Sequence, residues 1–377
     1  EYDACREGLF PDMHRTHPHF CLLTLTGKNI ISQNIDLVFW CTNVKHLREI
    51  DRRLDLTAED LILINPNTRT MPIFRTRRDA ELIRKIYQVA PVLVNEQTEA
   101  NPWNAAFMAM FHMANDSALF FTKEDLDRQG FELLGNDFVK NDEIYCPLYE
   151  AKMFWNYDHR FGTYAGSEDR NNIHLVTPAD EQYINSSFVL IPWFWINFKD
   201  VESRLSSYKK KWLIAFRNIT NTTNERTTIA SIIPILGVGH SAPLILVNKS
   251  SPLDACFFSN INSIIFDYIA RQKIGGTNFT YHYWKQLPIL TPEDYNPDLL
   301  ILISTKVVEL TYTAWDIKAF ADDLWREADE SLRAALKQQW DENVAETDGG
   351  HAGAEPPSWA EITPDGFPYP PFKWDEE

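Results

Sequence analysis

Apolar residues recur along this chain in short runs whose period switches between that of a strand and that of a helix. Residues 19–26 and 35–42 are dense in Leu, Ile, Val, Phe and Thr around a Gly27-Lys28-Asn29 turn, which predicts two short strands. Residues 79–90 change to helical spacing, with Leu82, Ile83, Ile86 and Tyr87 along one face and Asp79 as N-cap. Between 101 and 290 short strands and loops dominate, and WLIAFRNI (212–219) alternates so that Arg217 falls at a strand end. Residues 251–273 read as one long amphipathic helix, carried by Leu253, Cys256, Phe257, Ile261, Ile264, Ile265, Tyr268 and Ile269 and ended by Gly275-Gly276. Residues 298–320 and 322–340 read as further helices, the second heavily charged, and TDGGHAGAEPP (347–357) as a mobile Gly/Pro linker. No internal repeat or low-complexity tract is present. The pattern predicts an α+β chain in four segments: 1–100, a mixed α/β segment 101–290, helices over 291–346 and an acidic tail 347–377.

Composition adds that the chain is folded. A length of 377 residues with 44% hydrophobic and 13% aromatic content can bury the cores of two or three domains. The longest apolar run, FVLIPWFWINF (188–198), is too short to span a bilayer, so no membrane partner is expected. Residues 1–20 carry charges and histidines throughout, which is unlike a signal peptide. Five scattered cysteines with no Cys-x-x-Cys pair argue against a disulfide framework or a zinc ribbon, and fit a reducing cytoplasm. The net charge of −17 runs against phosphate binding until it is mapped. Residues 1–140 carry −4, residues 141–290 carry +1 and residues 291–377 carry −14, while residues 199–285 hold a local excess of +6. A basic island beside an acidic tail is compatible with a nucleic-acid reader.

Three blocks mix rings with groups that can hydrogen-bond bases or phosphates: YCPLYEAKMFWNYDHRFGTYAG (145–166), RNITNTTNERTTIASIIP (217–234) and YIARQKIGGTNFTYHYWKQLPIL (268–290). In the third, Arg271, Gln272 and Lys273 sit at a helix C-terminus, before Gly275 and Gly276, which let backbone amides approach a phosphate or base edge, and before Thr277, Asn278 and Lys285. The same residues also read as a simple C-cap with solvated cations, and Tyr281, Tyr283 and Trp284 as core packing. In the second, Asn221, Asn224, Arg226 and Thr227 offer the amides and guanidinium that read adenine and guanine, with Arg217 and Arg226 expected to matter most. Its other reading is an Asx/Thr-rich turn leading into a helix capped by Asn224, itself a phosphate-binding arrangement. Lys209-Lys210-Lys211 reads as a solvated face.

In the first block Lys152, His159 and Arg160 either approach the DNA backbone or pair with Glu150 and Asp158. Glu150-Ala151-Lys152 is also half of a PD-(D/E)xK nuclease signature, whose other acid would be Asp142. His14, His17 and His19 are close enough to suggest a metal, but no acidic or cysteine partner completes a set. Arg69, Arg75, Arg77 and Arg78 form a basic knot that can pair with neighbouring acids or line a DNA cleft.

Together with LFPDMHRTHPHFCLLTLTG, LINPNTRTMPIFRTRRDAELIRKIY and YPPFKWDEE, the three blocks resemble the C-terminal, target-recognition portion of type IIG restriction–modification and BREX-like adenine-specific DNA methyltransferases over most of the chain. The resemblance implies that residues 1–100 are the last strands of a Rossmann-like methyltransferase sheet and its connector, and that residues 101–290 bind double-stranded DNA. Methylation in that family uses an Asn/Asp-Pro-Pro-aromatic loop and a Gly-rich turn for S-adenosylmethionine. Here Asn65-Pro66-Asn67, Asn101-Pro102-Trp103 and Asn296-Pro297-Asp298 lack the second proline, and Gly237-Val238-Gly239 lacks the following helix. The expectation is therefore a non-catalytic portion that holds no cofactor, cut at both ends, whose parent carries S-adenosylmethionine in a missing N-terminal catalytic domain. Two rivals remain from the residues alone: a metal-dependent nuclease using Glu150 and Lys152, and an acidic module (322–377) that docks a basic partner subunit.

Overall fold

The computed structural model describes residues 2–3, 19–27, 29, 30, 32, 34–171 and 174–374. The fold is mixed α+β, with several sheets and eleven α-helices among the described residues. The chain divides into two compact units, and the boundaries differ from the four expected segments. One comprises residues 1–101, 268–275 and 282–290; the other comprises 102–267, 276–281 and 291–377. The helices after residue 291 and the C-terminal segment thus belong to the second unit and do not stand apart.

In the first unit the strands Ile35–Leu37 and Leu54–Leu56 pair antiparallel, and Leu54 and Leu56 turn inward. The strands predicted from residue 19 are shorter than expected. Only His19–Phe20 is paired, with Tyr2–Asp3. Leu22, Leu23 and Leu25, in the unpaired stretch that follows, are 74–79% exposed. Two helices follow, Ala58–Ile64 and Arg77–Val89. Asp79 is not the N-cap of the second: Thr76 caps it, and Asp79, three residues on, returns a bond to the Thr76 backbone N–H. Ile83 and Tyr87 are buried, and the Tyr87 hydroxyl donates to the Gln286 carbonyl at 2.7 Å. His14 and His17 fall outside the described residues.

The second unit is built on two sheets. In the four-stranded antiparallel sheet the order is Ala230–Pro234, Trp212–Phe216, Leu244–Leu246, Ala106–Met108. Trp212–Phe216 is buried at every position and not on alternate ones, because both of its faces are covered. The five-stranded sheet centres on Glu143–Tyr149, which pairs antiparallel with Asp137–Lys140 and Trp195–Asn197 and parallel with Gly237–Val238. Leu148, Tyr149, Ile196, Leu213, Ala215 and Val238 are among the residues of a shared core.

Gly237 is a packing glycine. A side-chain carbon there would sit 2.5 Å from Ile196 Cγ2, so only glycine lets the strands close.

The helix predicted over 251–273 is two helices, Ser251–Ile261 and Ile264–Lys273, broken at Asn262 and Ser263. The helix predicted over 298–320 ends at Thr311, and the charged one becomes Lys318–Glu327 and Glu330–Glu346. The expected Gly/Pro linker is instead a packed segment. His351 is buried, its two ring nitrogens lying 3.1 Å from the Pro371 carbonyl oxygen and 2.7 Å from that of Ile184. Phe367 and Phe372 are buried beyond it, in contact with one another and with Tyr312 and Trp325 through Phe367. Enough aromatic area lies past the glycines to anchor the segment. No helix among the described residues is long and apolar enough to cross a membrane.

Candidate nucleic-acid interface

Strands Trp212–Phe216 and Ala230–Pro234 form a hairpin whose last ladder bond runs from the Arg217 N–H to the Ile229 carbonyl at 2.9 Å. Residues 218–228 then leave the sheet as a long loop. No helix follows Asn224: the Asn221 side chain accepts from Thr223 N at 3.1 Å and its carbonyl from Asn224 N at 3.2 Å, making a turn in the middle of the loop. The neck is closed by Thr220 Oγ1 donating to the Thr227 carbonyl at 2.8 Å. It is anchored by Asp267, whose Oδ1 accepts from Thr227 N, Thr228 N and Thr228 Oγ1 at 2.7, 2.7 and 2.9 Å. One carboxylate thereby satisfies two backbone donors that a loop neck cannot pair with itself.

Residues 276–281, from the third block, lie against this loop. Thr220 N donates to the Thr277 carbonyl at 3.0 Å and Phe279 N to the Asn218 carbonyl at 2.6 Å, with an antiparallel bridge between Ile219 and Asn278. Phe279 is fully buried and pins the ribbon. Outward it presents Ile219 (61% exposed), Asn221, Thr223, Asn224, Gly276, Thr277 and Asn278. A side-chain carbon at Gly275 or Gly276 would meet nothing within 4 Å, and neither has the positive φ that favours glycine, so internal packing does not require them.

The first block lies behind the same hairpin. The Arg217 guanidinium donates to the Phe154 carbonyl at 3.0 Å and lies 4.6 Å from the Trp155 ring centre, and burial lowers it to about 10. Asn156 Nδ2 donates to the Thr228 carbonyl at 3.1 Å and Tyr157 N to that of Ala230 at 3.3 Å. The second unit thus brings parts of all three blocks together around one hairpin.

Several residues expected at phosphates are instead engaged inside. Arg160 is buried and donates to the carbonyls of Asn185, Phe188, Tyr183 and Thr313 at 3.1–3.4 Å; burial lowers its pKa. His159, also buried, meets Asp316 at 2.9 Å. Lys152 Nζ donates to the Arg170 carbonyl at 2.9 Å and lies over the Tyr164 ring, and burial lowers its pKa. Glu150, its partner in the nuclease half-signature, accepts from the Tyr164 hydroxyl at 3.0 Å and pairs with Arg170 at 3.3 Å. Arg226 reaches the Asn262 and Ser263 carbonyls at the helix break and pairs with Asp267 at 3.6 Å. Thr227 is fully buried.

In the first unit, Lys273 Nζ donates to the Ile64 carbonyl, Asn65 Oδ1 and the Gln286 carbonyl at 2.6–2.8 Å, and burial pushes it well below the usual lysine value. Lys285 pairs with Glu96 at 2.6 Å. Gln272 is half-buried. Of the basic knot, Arg75 lies over the Trp40 ring at 5.8 Å and Arg77 donates to the Arg53 carbonyl at 3.0 Å. For Lys152, Arg160, Arg217 and Lys273 the physical reason is common: a cation among apolar residues is tolerated only where carbonyls or carboxylates meet it; Arg75 and Arg77 stay exposed.

Sequence reasoning missed Asp267, Ile219 and Phe279. The available signal for Asp267 was a carboxylate set among Ile264, Ile265, Phe266, Tyr268, Ile269 and Ala270, which needs a partner. Among the described residues no three His, Cys, Asp or Glu side chains gather as a metal set. The sequence matches no protein-family model and no curated protein.

Proposed function

We propose that this chain is the target-recognition and helical C-terminal region of a site-specific adenine DNA methyltransferase of the type IIG or BREX-like kind. It positions duplex DNA so that a catalytic domain elsewhere in the parent flips and methylates the base. The observation that carries this reading is the two-loop ribbon, 218–228 with 276–281, which offers exposed amides, hydroxyls and the open Gly276 on a rigid hairpin. Amide side chains match adenine N6/N7, and an exposed aliphatic such as Ile219 matches a thymine methyl. In this reading the exposed Leu22, Leu23 and Leu25 are the remainder of a Rossmann-like sheet made to be covered. S-adenosylmethionine belongs to that covering domain. The one Gly-x-Gly of this chain opens in a strand packed on Ile196 and does not fit a cofactor turn.

The test compares loop-tip and anchor variants in DNA binding and in melting. Asn224→Ala and Asn278→Ala change stability by less than about 0.5 kcal/mol and lose binding or base preference. Arg226→Ala, which strips a charged donor from two helix-end carbonyls, costs about 1.5–3 kcal/mol of stability. Undiminished binding and preference in both asparagine variants would remove the ribbon from the argument.

A further inference from the structure

The Gly237-Val238-Gly239 run leads into His240. Gly237 and Val238 pair with Leu148 and Tyr149, and Gly239 N donates to the Tyr149 carbonyl at 2.8 Å. A tight turn follows, in which Ala242 N returns to the Gly239 carbonyl at 2.9 Å. This turn lies at the end of the four-stranded sheet from which residues 218–228 depart. Asn218 N donates to the Ser241 carbonyl and Phe216 N to that of Pro243, both at 2.9 Å. His240 N donates to the Phe111 carbonyl at 2.7 Å, which brings His112 alongside. The two imidazoles stack with ring centres 5.5 Å apart and planes inclined by 17°, and both residues are exposed.

Much of their hydrogen-bonding capacity is unused. The Met113 N–H points at His240 Nδ1 at 3.5 Å, which puts the proton of the neutral ring on Nε2. The His112 side chain makes no hydrogen bond or ion pair among the described residues. The charged groups around the pair are already engaged. Asp116 accepts from His112 N and pairs with Arg204, both at 2.7 Å, and Arg204 lies over the Phe111 ring. Glu150, beside Gly239, meets Tyr164 and Arg170, and Lys152 donates to the Arg170 carbonyl. The loop 218–228 carries Glu225 and Arg226, and Arg226 is held at the helix break. The pair is thus left as exposed donors at the rim of the ribbon, with Asp116 and Glu150 already matched.

We propose that His112 and His240 bind a backbone phosphate of the duplex whose bases meet the ribbon, an inference that rests on the target-recognition reading. Phosphate contacts fix register while the amides of Asn221, Asn224 and Asn278 meet base edges. Imidazole N–H groups donate to phosphate oxygens, and a proton taken up by the pair makes that contact charge-assisted. Histidine is the side chain that gains this charge between about pH 5 and 8. One proton suffices, because two charged rings at this separation repel. DNA binding therefore strengthens on acidification through these two rings.

The experiment is fluorescence anisotropy of a mixed-sequence duplex with the full chain, in a salt series at about pH 6 and at about pH 8. The parent chain is expected to bind about 5-fold or more tighter at the lower pH. Its logarithmic salt slope there is steeper by about 0.9, the value of one further phosphate. His112→Gln with His240→Gln, which keeps an acceptor near Met113 N, is expected to melt like the parent and to lose both differences. If that double variant melts early, His112→Gln alone decides, since it leaves His240 and its Met113 contact in place. Asn224→Ala lowers affinity at both pH values and keeps their ratio. A pH ratio and salt slope that survive in the histidine variants overturn the phosphate contact and leave the target-recognition reading standing. A parent chain that binds no duplex at either pH overturns both.

Discussion

At Asp137 the chain carries a carboxyl that burial holds near 6, against about 3.9 for a free aspartate. Between roughly pH 4 and 6 the folded state therefore holds more protons than the unfolded one, and stability falls as pH rises through that window. Asp137→Asn is expected to be more stable than the parent chain at neutral pH by up to about 3 kcal/mol. The gap should close near pH 4, as read from urea unfolding at both values. A pH-independent gap would mean that burial of the ionised form is not what limits this site. Arg160 is the opposite case, a cation whose burial is compensated by four carbonyls, and it orders the loop carrying Asp158 and His159. The residue type was legible in both cases. Whether the charge faced solvent was not, because that depends on carbonyls 25 or more positions away for Asn185, Phe188 and Thr313.

Among the elements, the C-terminal segment departs most from its sequence. Gly349 and Gly350 both have positive φ, so the glycines that read as a linker form a tight turn at the end of helix Glu330–Glu346. The chain then returns across the unit, with Tyr312 donating to the Tyr369 carbonyl, Lys318 to that of Phe367 and Trp340 to that of Pro370. Removing residues 347–377 strips Phe367 and Phe372 from their sites and leaves Lys318 short of an acceptor. The truncated chain is expected to lose at least about 3 kcal/mol, at 1.5–3 kcal/mol for each buried phenylalanine, measured by thermal or denaturant unfolding. A truncation with unchanged melting would restore the view of this segment as a solvated tail. The break at Asn262 and Ser263 is a second instance. Apolar periodicity runs straight through it, and Arg226 from another block occupies the carbonyls that the break exposes.

For the whole molecule, the acidic net charge and the internal use of Arg160, Arg217 and Arg226 leave few of the expected cations for phosphate. If the ribbon binds duplex DNA as proposed, the logarithmic salt dependence should be shallow, with a slope no steeper than about −3 at 0.9 per phosphate contact. Fluorescence anisotropy across about 50–200 mM salt checks this. A slope near −6 would assign binding to a different, more cationic surface.

The sequence by itself determined the mixed α+β character, where the elements beginning at Trp212, Ser251 and Pro297 start, and the clustering of amides and threonines in two loops. These follow from local pattern, because periodicity, caps and turn residues act within a few positions of themselves. Only the tertiary structure decided that the two loops pair, that Lys152, His159, Arg160, Arg217, Arg226 and Lys273 turn inward, and that residues 351–374 fold back. Those outcomes rest on partners far apart in sequence, and a side chain's chemistry is set by which of them burial brings within hydrogen-bond reach.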